Sequence, residues 1–167
     1  MFDDPEDRLL IAIGRLTVTF SAMDLIVTDF AICWLRCDDA DVGERVVLPL
    51  AFGAKIDLLC WLAEFHAKRL GPAANSEART LLQHAHEAKE LSTVRNDVIH
   101  GLITGESQDG RRKFWNFRRG HARTSAEPAD VEAVVSRLER ILGDLTEACY
   151  DYDAVLDPSQ VPQQERD

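Results

Sequence analysis

The sequence predicts an all-α protein: a bundle of four helices with a small β-hairpin between the third and fourth helices. Apolar residues recur at helical spacing over four long segments, one stretch near residue 110 breaks that spacing, and there is no internal repeat. At 167 residues the chain is long enough for one domain to bury a core without a metal or a disulfide. We therefore expect a single helical domain over residues 1–156.

The first helix is predicted from about residue 5 to residue 36. Pro5 suits the first helical position, and the acidic residues around it favour a helix N-terminus. The apolar residues that follow alternate in steps of four and three, which defines a heptad seam. The seam consists of Leu9, Ile13, Leu16, Phe20, Met23, Val27, Phe30 and Trp34. It implies a helix that is buried in a bundle or that pairs with a second copy.

The next segment is predicted to be a loop followed by a helix. Residues 37–49 are polar and lack a clear period, so we expect a loop there. A second helix is predicted over residues 50–70, with Phe65 in its apolar stripe, and Gly71 with the proline after it ends that helix.

The C-terminal half is predicted to hold two helices around a hairpin. A third helix is expected from about residue 76 to residue 100. Asp109-Gly110 is a turn signal between two short candidate strands within residues 102–117. The last helix is expected over residues 128–156, and the polar tail 157–167 is predicted to be disordered.

The chain carries the features of a cytoplasmic protein. Its longest stretch without a charged residue is nine residues, whereas a bilayer span needs about 20, so we expect no membrane helix. The N-terminus is acidic and unlike a secretory signal. Four Cys without a CxxC pair favour buried free thiols; Cys33 is expected to lie in the core, as are Cys60 and Cys149.

No cofactor and no metal are expected. His84, His86, Glu87 and Glu90 lie close together but form no metal-binding frame, and a solvated helical face is the simpler interpretation. The sequence also lacks a glycine-rich nucleotide loop and a nucleophile elbow.

Charge is distributed unevenly along the chain. The net charge is -10, yet residues 111–123 contain six basic residues and no acid. Phe114, Trp115 and Phe117 are interleaved with these bases, a pattern that suits single-stranded RNA. The predicted RNA-binding residues are Arg111, Arg112, Lys113, Trp115, Arg118, Arg119 and Arg123. Two alternatives stay open: the aromatic residues pack on the bundle, or the basic cluster docks an acidic protein surface.

The candidate catalytic segment is RNDVIHG at residues 95–101. Arg95 brings a permanent charge and a forked set of donors for phosphate, and His100 brings a pKa suited to proton transfer near neutral pH. These are the two functions that metal-free phosphodiester cleavage requires. Arg79 and His84 have the same spacing without the Asn and Gly neighbours, and we interpret them as a chance match.

RNDVIHG resembles the signature of HEPN domains, in which an Arg, commonly followed by a polar residue such as Asn, precedes a His. FSAMD at 20–24 and FGAKIDLL at 52–59 are similar to segments of bacterial HEPN-like proteins, so the resemblance spans about residues 8–117. It implies a dimeric helical bundle that cuts RNA without metal and leaves a cyclic phosphate. Arg95 would stabilise the phosphate, His100 would be the acid and base, and Asn96 would orient a partner.

The leading hypothesis is therefore a HEPN-like, metal-independent endoribonuclease, an effector of a toxin–antitoxin or defence system with a cognate antitoxin or neighbouring protein as partner. The alternative is a non-catalytic HEPN-like dimeric module that binds RNA or a partner protein. Arg95 and His100 would be about 140° apart on one straight helix. Either the helix ends at His100 and the chain turns, or two copies of a homodimer form a composite site.

Overall fold

A computed structural model of the chain describes the backbone of residues 5–35, 40–99, 101–106, 112–116, 121–124 and 128–156. Side chains are described over residues 7–35, 41–99 and 130–156. The tail 157–167, predicted to be disordered, lies outside the described residues.

Five helices and three strands occupy the described residues. The helices are α1 (Pro5–Leu35), α2 (Ala40–Val47), α3 (Phe52–Leu70), α4 (Pro72–Ile99) and α5 (Pro128–Leu156). The strands are β1 (Gly101–Glu106), β2 (Arg112–Asn116) and β3 (His121–Thr124), in an antiparallel sheet of order β1-β2-β3. The helical class is confirmed. The count of four helices and the two-stranded hairpin are wrong as predicted, because a fifth helix and a third strand are present.

The additional helix α2 occupies the predicted loop. Gly43 and Val47 are buried one turn apart, whereas Val42 and Val46 are exposed. A Cβ atom on Gly43 would lie 3.0 Å from Cγ2 of Ile32 on α1, so the two helices approach at a distance that favours glycine. The loop prediction failed because eight residues make only two turns, too few for a period to be recognised.

Helix α4 follows α3 almost without a connection. Gly71 has a φ of 94°, in the left-handed region, and its N–H donates to the carbonyl of Ala67 at 3.2 Å. Pro72 then begins α4, earlier than the predicted start near Ser76, because proline is preorganised for the first helical position. Phe65 is exposed, which corrects its predicted place in the buried stripe of the second helix.

The chain forms two compact units. The first unit comprises Met1–Ala22 and Glu90–Arg140, and the second comprises Met23–Lys89 and Ile141–Asp167. Helices α1, α4 and α5 each contribute residues to both units. The single domain expected over residues 1–156 stays a prediction.

In the first unit, α1 and α5 run parallel. Arg8 Nη2 donates to both carboxylate oxygens of Glu132 at 3.0 Å, and Arg15 Nη2 donates to those of Glu139 at 2.7 and 3.0 Å. The partners advance together by seven residues on each helix, which requires parallel axes. Among the side chains described in this unit, the buried apolar ones are those of Leu9, Ala12, Leu16, Phe20, Leu91, Val131, Val135 and Leu138.

In the second unit, α1, α3 and α5 share an aromatic core. The rings of Trp34 and Tyr152 meet edge to face, with centroids 5.0 Å apart. Trp34 Nε1 donates to Asp153 Oδ1 at 2.9 Å, and the Tyr152 hydroxyl donates to the carbonyl of Ala63 at 2.5 Å. Both rings are therefore buried with their polar atoms satisfied, as buried Trp and Tyr require.

The predicted heptad seam of α1 is interior to the chain. Seven of its eight residues are buried, and Ile13 is half-buried. Of the two predictions for this seam, the bundle is therefore the one the structure supports. The seam itself is not available to pair with a second copy.

Among the described residues, one helix passes a length and composition test for a membrane span: α1 over Asp7–Leu35. The sequence analysis considered only stretches without any charged residue, and charged residues interrupt every apolar run of α1. The mean hydropathy of α1 is nevertheless high enough to pass the test. The core helix of a soluble protein passes the same test, and the seam of α1 is packed inside the chain. The apolar character of α1 has a second source, a group of exposed apolar residues opposite the seam.

Candidate functional site

The predicted catalytic residues lie at the end of α4. Arg95 and Asn96 belong to its last turns, whereas His100 lies outside the described residues. Helix α4 ends at Ile99 and β1 begins at Gly101. Both alternatives for bringing Arg95 and His100 together therefore stay predictions.

Arg95 is held against a ring of α1. Its Cζ lies 4.8 Å from the centroid of the Phe20 ring, within the range of a cation–π contact. Phe20 is buried in the seam of α1, and Arg95 is half-buried, so the contact is partly shielded from water. It joins two segments that carry the HEPN resemblance, FSAMD and RNDVIHG, although they are far apart in sequence.

Arg95 also forms a hydrogen bond within its own segment. A guanidinium has five N–H donors. One donor is used within the segment, since Arg95 Nη1 donates to Oδ1 of Asn96 at 2.8 Å. Asn96, predicted to orient a partner, therefore has Arg95 itself as its described hydrogen-bond partner. Phe20 and Asn96 thus both contact the Arg95 guanidinium.

The predicted RNA-binding segment begins in a gap between described residues and includes β2 and β3. The backbone register of the two strands pairs Phe114 with Arg123 and Trp115 with Ala122. Strand β1 pairs with β2 with an irregularity between Ile103 and Gly105. The side chains of Arg112, Lys113, Trp115 and Arg123, and the whole of Arg111, Arg118 and Arg119, lie outside the described residues.

The two units differ in charge. The first unit contains 12 acidic and 11 basic residues, whereas the second contains 17 acidic and 8 basic residues. The cluster at 111–123 and Arg95 both belong to the first unit. A phosphate-bearing ligand is therefore repelled less by the first unit than by the second.

Sequence reasoning missed a buried ion pair in the second unit. Lys55 is 5% exposed, and its Nζ donates to both carboxylate oxygens of Asp24 at 3.0 Å. This pair joins FSAMD on α1 to FGAKIDLL on α3, two segments of the HEPN resemblance. The sequence did indicate that Lys55 lies on the inward face of its helix. Lys55 precedes the buried Leu59 and Leu62 by four and seven residues, which places all three on one face.

A second lysine–aspartate pair lies on the surface of the same unit. Lys89 Nζ donates to the carboxylate oxygens of Asp57 at 2.5 and 2.7 Å, and Asp57 is exposed. Lys89 also covers Gly53, where a Cβ atom would lie 3.6 Å from its Cε. This pair has the chemistry of Lys55 and Asp24 without the burial.

An exposed aromatic pair on α3 was also missed. The rings of Trp61 and Phe65 stack with centroids 5.4 Å apart, and Arg69 Cζ lies 5.1 Å above the Phe65 ring. Trp61, Phe65 and Arg69 are spaced four residues apart, and this spacing predicts that their side chains are neighbours on one face of a helix. The acidic charge of the second unit disfavours RNA at this position.

Two of the described thiols are buried and one is not. Cys60 and Cys149 are buried, whereas Cys33 is exposed, which corrects its predicted place in the core; Cys37 lies outside the described residues. Burial raises the pKa of Cys60 to about 11, and Asp57 and Glu64 add to the effect. Burial also raises the pKa of Cys149 to about 12, with smaller effects from Cys60 and Asp153. Neither thiol is activated as a nucleophile.

No cluster suited to a metal occurs in the described part of the chain, where groups of three or more His, Cys, Asp or Glu in metal-binding proximity are absent. Comparison of the chain with known protein families, with characterised proteins and with solved structures found no match.

Proposed function

We propose that this chain is a HEPN-like, metal-independent endoribonuclease that works as a homodimer in the cytoplasm, as the effector of a toxin–antitoxin or defence system. The observation that carries the proposal is the contact between Arg95 and Phe20. The contact supports the HEPN resemblance because it joins FSAMD and RNDVIHG, two of the segments on which that resemblance rests. The buried pair of Asp24 and Lys55 supports it in the same way.

The proposed reaction is an internal transesterification of RNA. The ribose 2′-oxygen attacks the adjacent phosphorus and the bond to the 5′-oxygen breaks, so the products are a 2′,3′-cyclic phosphate and a 5′-hydroxyl. His100 takes the proton from the 2′-hydroxyl and returns a proton to the leaving oxygen. Arg95 stabilises the negative charge that develops on the phosphate oxygens. No water and no metal take part.

The cluster at 111–123 is proposed to hold the substrate. Its bases follow β1 in the chain and belong to the same unit as Arg95, and that unit is close to neutral overall. Cations bind the backbone of single-stranded RNA and aromatic rings stack its bases. The substrate class is therefore single-stranded RNA.

The test is cleavage of a fluorescent single-stranded RNA in the presence of EDTA. We expect His100→Ala and Arg95→Ala each to lower the rate at least about 100-fold, because each removes one function of a shared site. The double variant should be little worse than either single variant. Arg79→Ala with His84→Ala is the matched control and should leave the rate unchanged. A linear phosphate end, or full activity of His100→Ala, contradicts the proposal.

Mixing two inactive variants tests the composite site. If Arg95 and His100 act across a homodimer, a mixture of Arg95→Ala and His100→Ala chains regains part of the activity. If each chain holds a complete site, which the end of α4 at Ile99 permits, the mixture stays inactive.

The second candidate function is a non-catalytic module that binds RNA or a cognate partner protein. The observation that favours it is the engagement of Arg95 within the chain, by the Phe20 ring and by Asn96. In that case wild-type chain binds RNA or copurifies with the product of a neighbouring gene, while no RNA is cleaved.

A further inference from the structure

The exposed apolar residues of the first unit are concentrated on one face of α1. Among the described side chains of that unit, the large apolar residues that are strongly exposed are Leu10 (59%), Ile11 (49%) and Val18 (70%). At about 100° per residue, these three and Gly14 fall within an arc of about 100°. Apolar patches on a soluble surface mark interaction sites when their residues are contiguous.

This face has a glycine at its centre. Gly14 is exposed, and a Cβ atom there would meet no other atom within 4 Å. Leu10 and Ile11 precede it by four and three residues, and Val18 follows it by four. A helix crossing at Gly14 can approach the α1 backbone closely, with a large apolar side chain on each side of the crossing.

The same face carries no charge between its apolar residues, and the acid nearest to them on this arc is Asp7, one turn before Leu10. Between Leu10 and Ser21 it bears no charged side chain, and the Ser21 hydroxyl is satisfied by donating to the carbonyl of Thr17 at 2.9 Å. Arg8 and Arg15, which flank it, are paired with Glu132 and Glu139 of α5. A chain with a net charge of -10 repels its own copies over most of its surface, and this face is free of that repulsion.

We propose that this face, the α1 patch of Leu10, Ile11, Gly14 and Val18, is where a second copy of the chain binds. A two-fold contact requires a patch that is complementary to itself. The patch meets this condition when two α1 helices cross antiparallel at Gly14, since Leu10 and Ile11 of each copy then face Val18 of the other. The inference deepens the proposed homodimer and does not depend on RNA cleavage.

The interface lies on the side of α1 away from Arg95. Phe20, which carries the Arg95 guanidinium, is about 130° around the helix from the centre of the patch. The contact therefore holds two copies together without covering Phe20. The mass in solution and the cleavage of RNA are therefore separate measurements: a monomeric chain overturns the patch, whereas a dimeric chain that cleaves no RNA overturns the proposed ribonuclease.

The experiment is the mass of Gly14→Glu in solution, measured by light scattering at about 50 µM. Wild type is expected at about twice 18.7 kDa, and Gly14→Glu at 18.7 kDa, because two carboxylates would meet at the crossing. Glu is a better helix former than Gly, so the Gly14→Glu monomer should keep the helical circular-dichroism spectrum of the wild type. Gly143→Glu is the matched control: Gly143 is also an exposed helical glycine with open space, and its variant should remain a dimer.

Cross-linking checks the geometry. In a background of Cys33→Ser and Cys37→Ser, Gly14→Cys should form a disulfide-linked dimer on mild oxidation, whereas Gly143→Cys should not. A monomeric wild type overturns the proposal, and so does a Gly14→Glu chain that stays dimeric. A wild type that sediments with phosphatidylcholine–phosphatidylglycerol vesicles, with binding lost in Gly14→Glu, identifies the patch as a membrane contact and also overturns it.

Discussion

Lys55 Nζ lies 3.0 Å from both carboxylate oxygens of Asp24, and Lys55 is the charged residue that the described part of the chain buries. The pair links α1 to α3 inside the second unit. A buried charge without its partner is costly, so this pair constrains how the two helices can pack.

We expect Asp24→Asn to lower the free energy of unfolding by about 2–3 kcal/mol, because Lys55 stays buried without a counter-charge. The loss is smaller than for a fully buried pair, since the Asp24 side chain is 38% exposed and water screens the charge. Lys55→Met removes the charge and should rescue most of the loss in the double variant. Urea denaturation measures these differences. The control is Asp57→Asn, whose partner is Lys89, with an expected loss of at most about 1 kcal/mol; equal losses in the two variants contradict the argument.

The contact between Phe20 and Arg95 should be measurable as a coupling energy. In a double-mutant cycle of Phe20→Leu and Arg95→Met, we expect a coupling of about 0.5–2 kcal/mol, the range of a partly shielded cation–π contact. Phe30→Leu combined with Arg95→Met is the control, because the Phe30 ring packs on Tyr150, with centroids 5.2 Å apart, and its coupling to Arg95 should be close to zero. A Phe20–Arg95 coupling no larger than the control shows that the ring does not hold the guanidinium.

Alkaline pH should destabilise the protein through its two buried thiols. Folding raises the pKa of Cys60 to about 11 and that of Cys149 to about 12, from 9.0. Thiols in the unfolded chain therefore ionise first, so the stabilisation is complete below pH 9 and is lost as the pH rises towards 11–12.

The expected slope is about 1.4 kcal/mol per pH unit for each thiol in that window. Cys149→Ala should show a shallower fall in the free energy of unfolding between pH 9 and pH 11, measured with urea. Cys33→Ala, at an exposed thiol, should keep the wild-type slope. An unchanged slope in Cys149→Ala would contradict the burial of that thiol.

Reversing two charges in the basic cluster should weaken RNA binding. We expect Arg118→Glu with Arg119→Glu to weaken binding of a single-stranded RNA and to reduce its dependence on salt, because fewer counterions are released. Arg137→Glu with Arg140→Glu changes the charge of the same unit by the same amount and should have a smaller effect. Fluorescence anisotropy at several salt concentrations measures the affinity and the salt dependence of each pair of variants. Equal effects would mean that overall charge, and not the cluster, governs binding.

Much of the helical pattern was predictable because it depends on neighbours in sequence. The seam of α1 is buried as its period predicts, except for the half-buried Ile13. The last helix has the predicted bounds of 128–156. The two-turn helix α2 and the third strand β3 were missed, since segments this short carry too few repeats to reveal a period.

The residue types of the candidate site were predictable, whereas its contacts were not. The residue types of Arg95, Asn96 and the cluster at 111–123, and the charges they carry, were evident in the sequence because chemistry is a local property. The ring beneath Arg95, the partner of Lys55 and the parallel course of α1 and α5 were not, since each is a contact between residues far apart in the chain. The sequence by itself determined the four long helical segments and where the charge lies. The tertiary structure alone decided whether the seam of α1 packs inside the chain or pairs with a second copy, because a heptad period fits both arrangements and only the packing of the other helices distinguishes them.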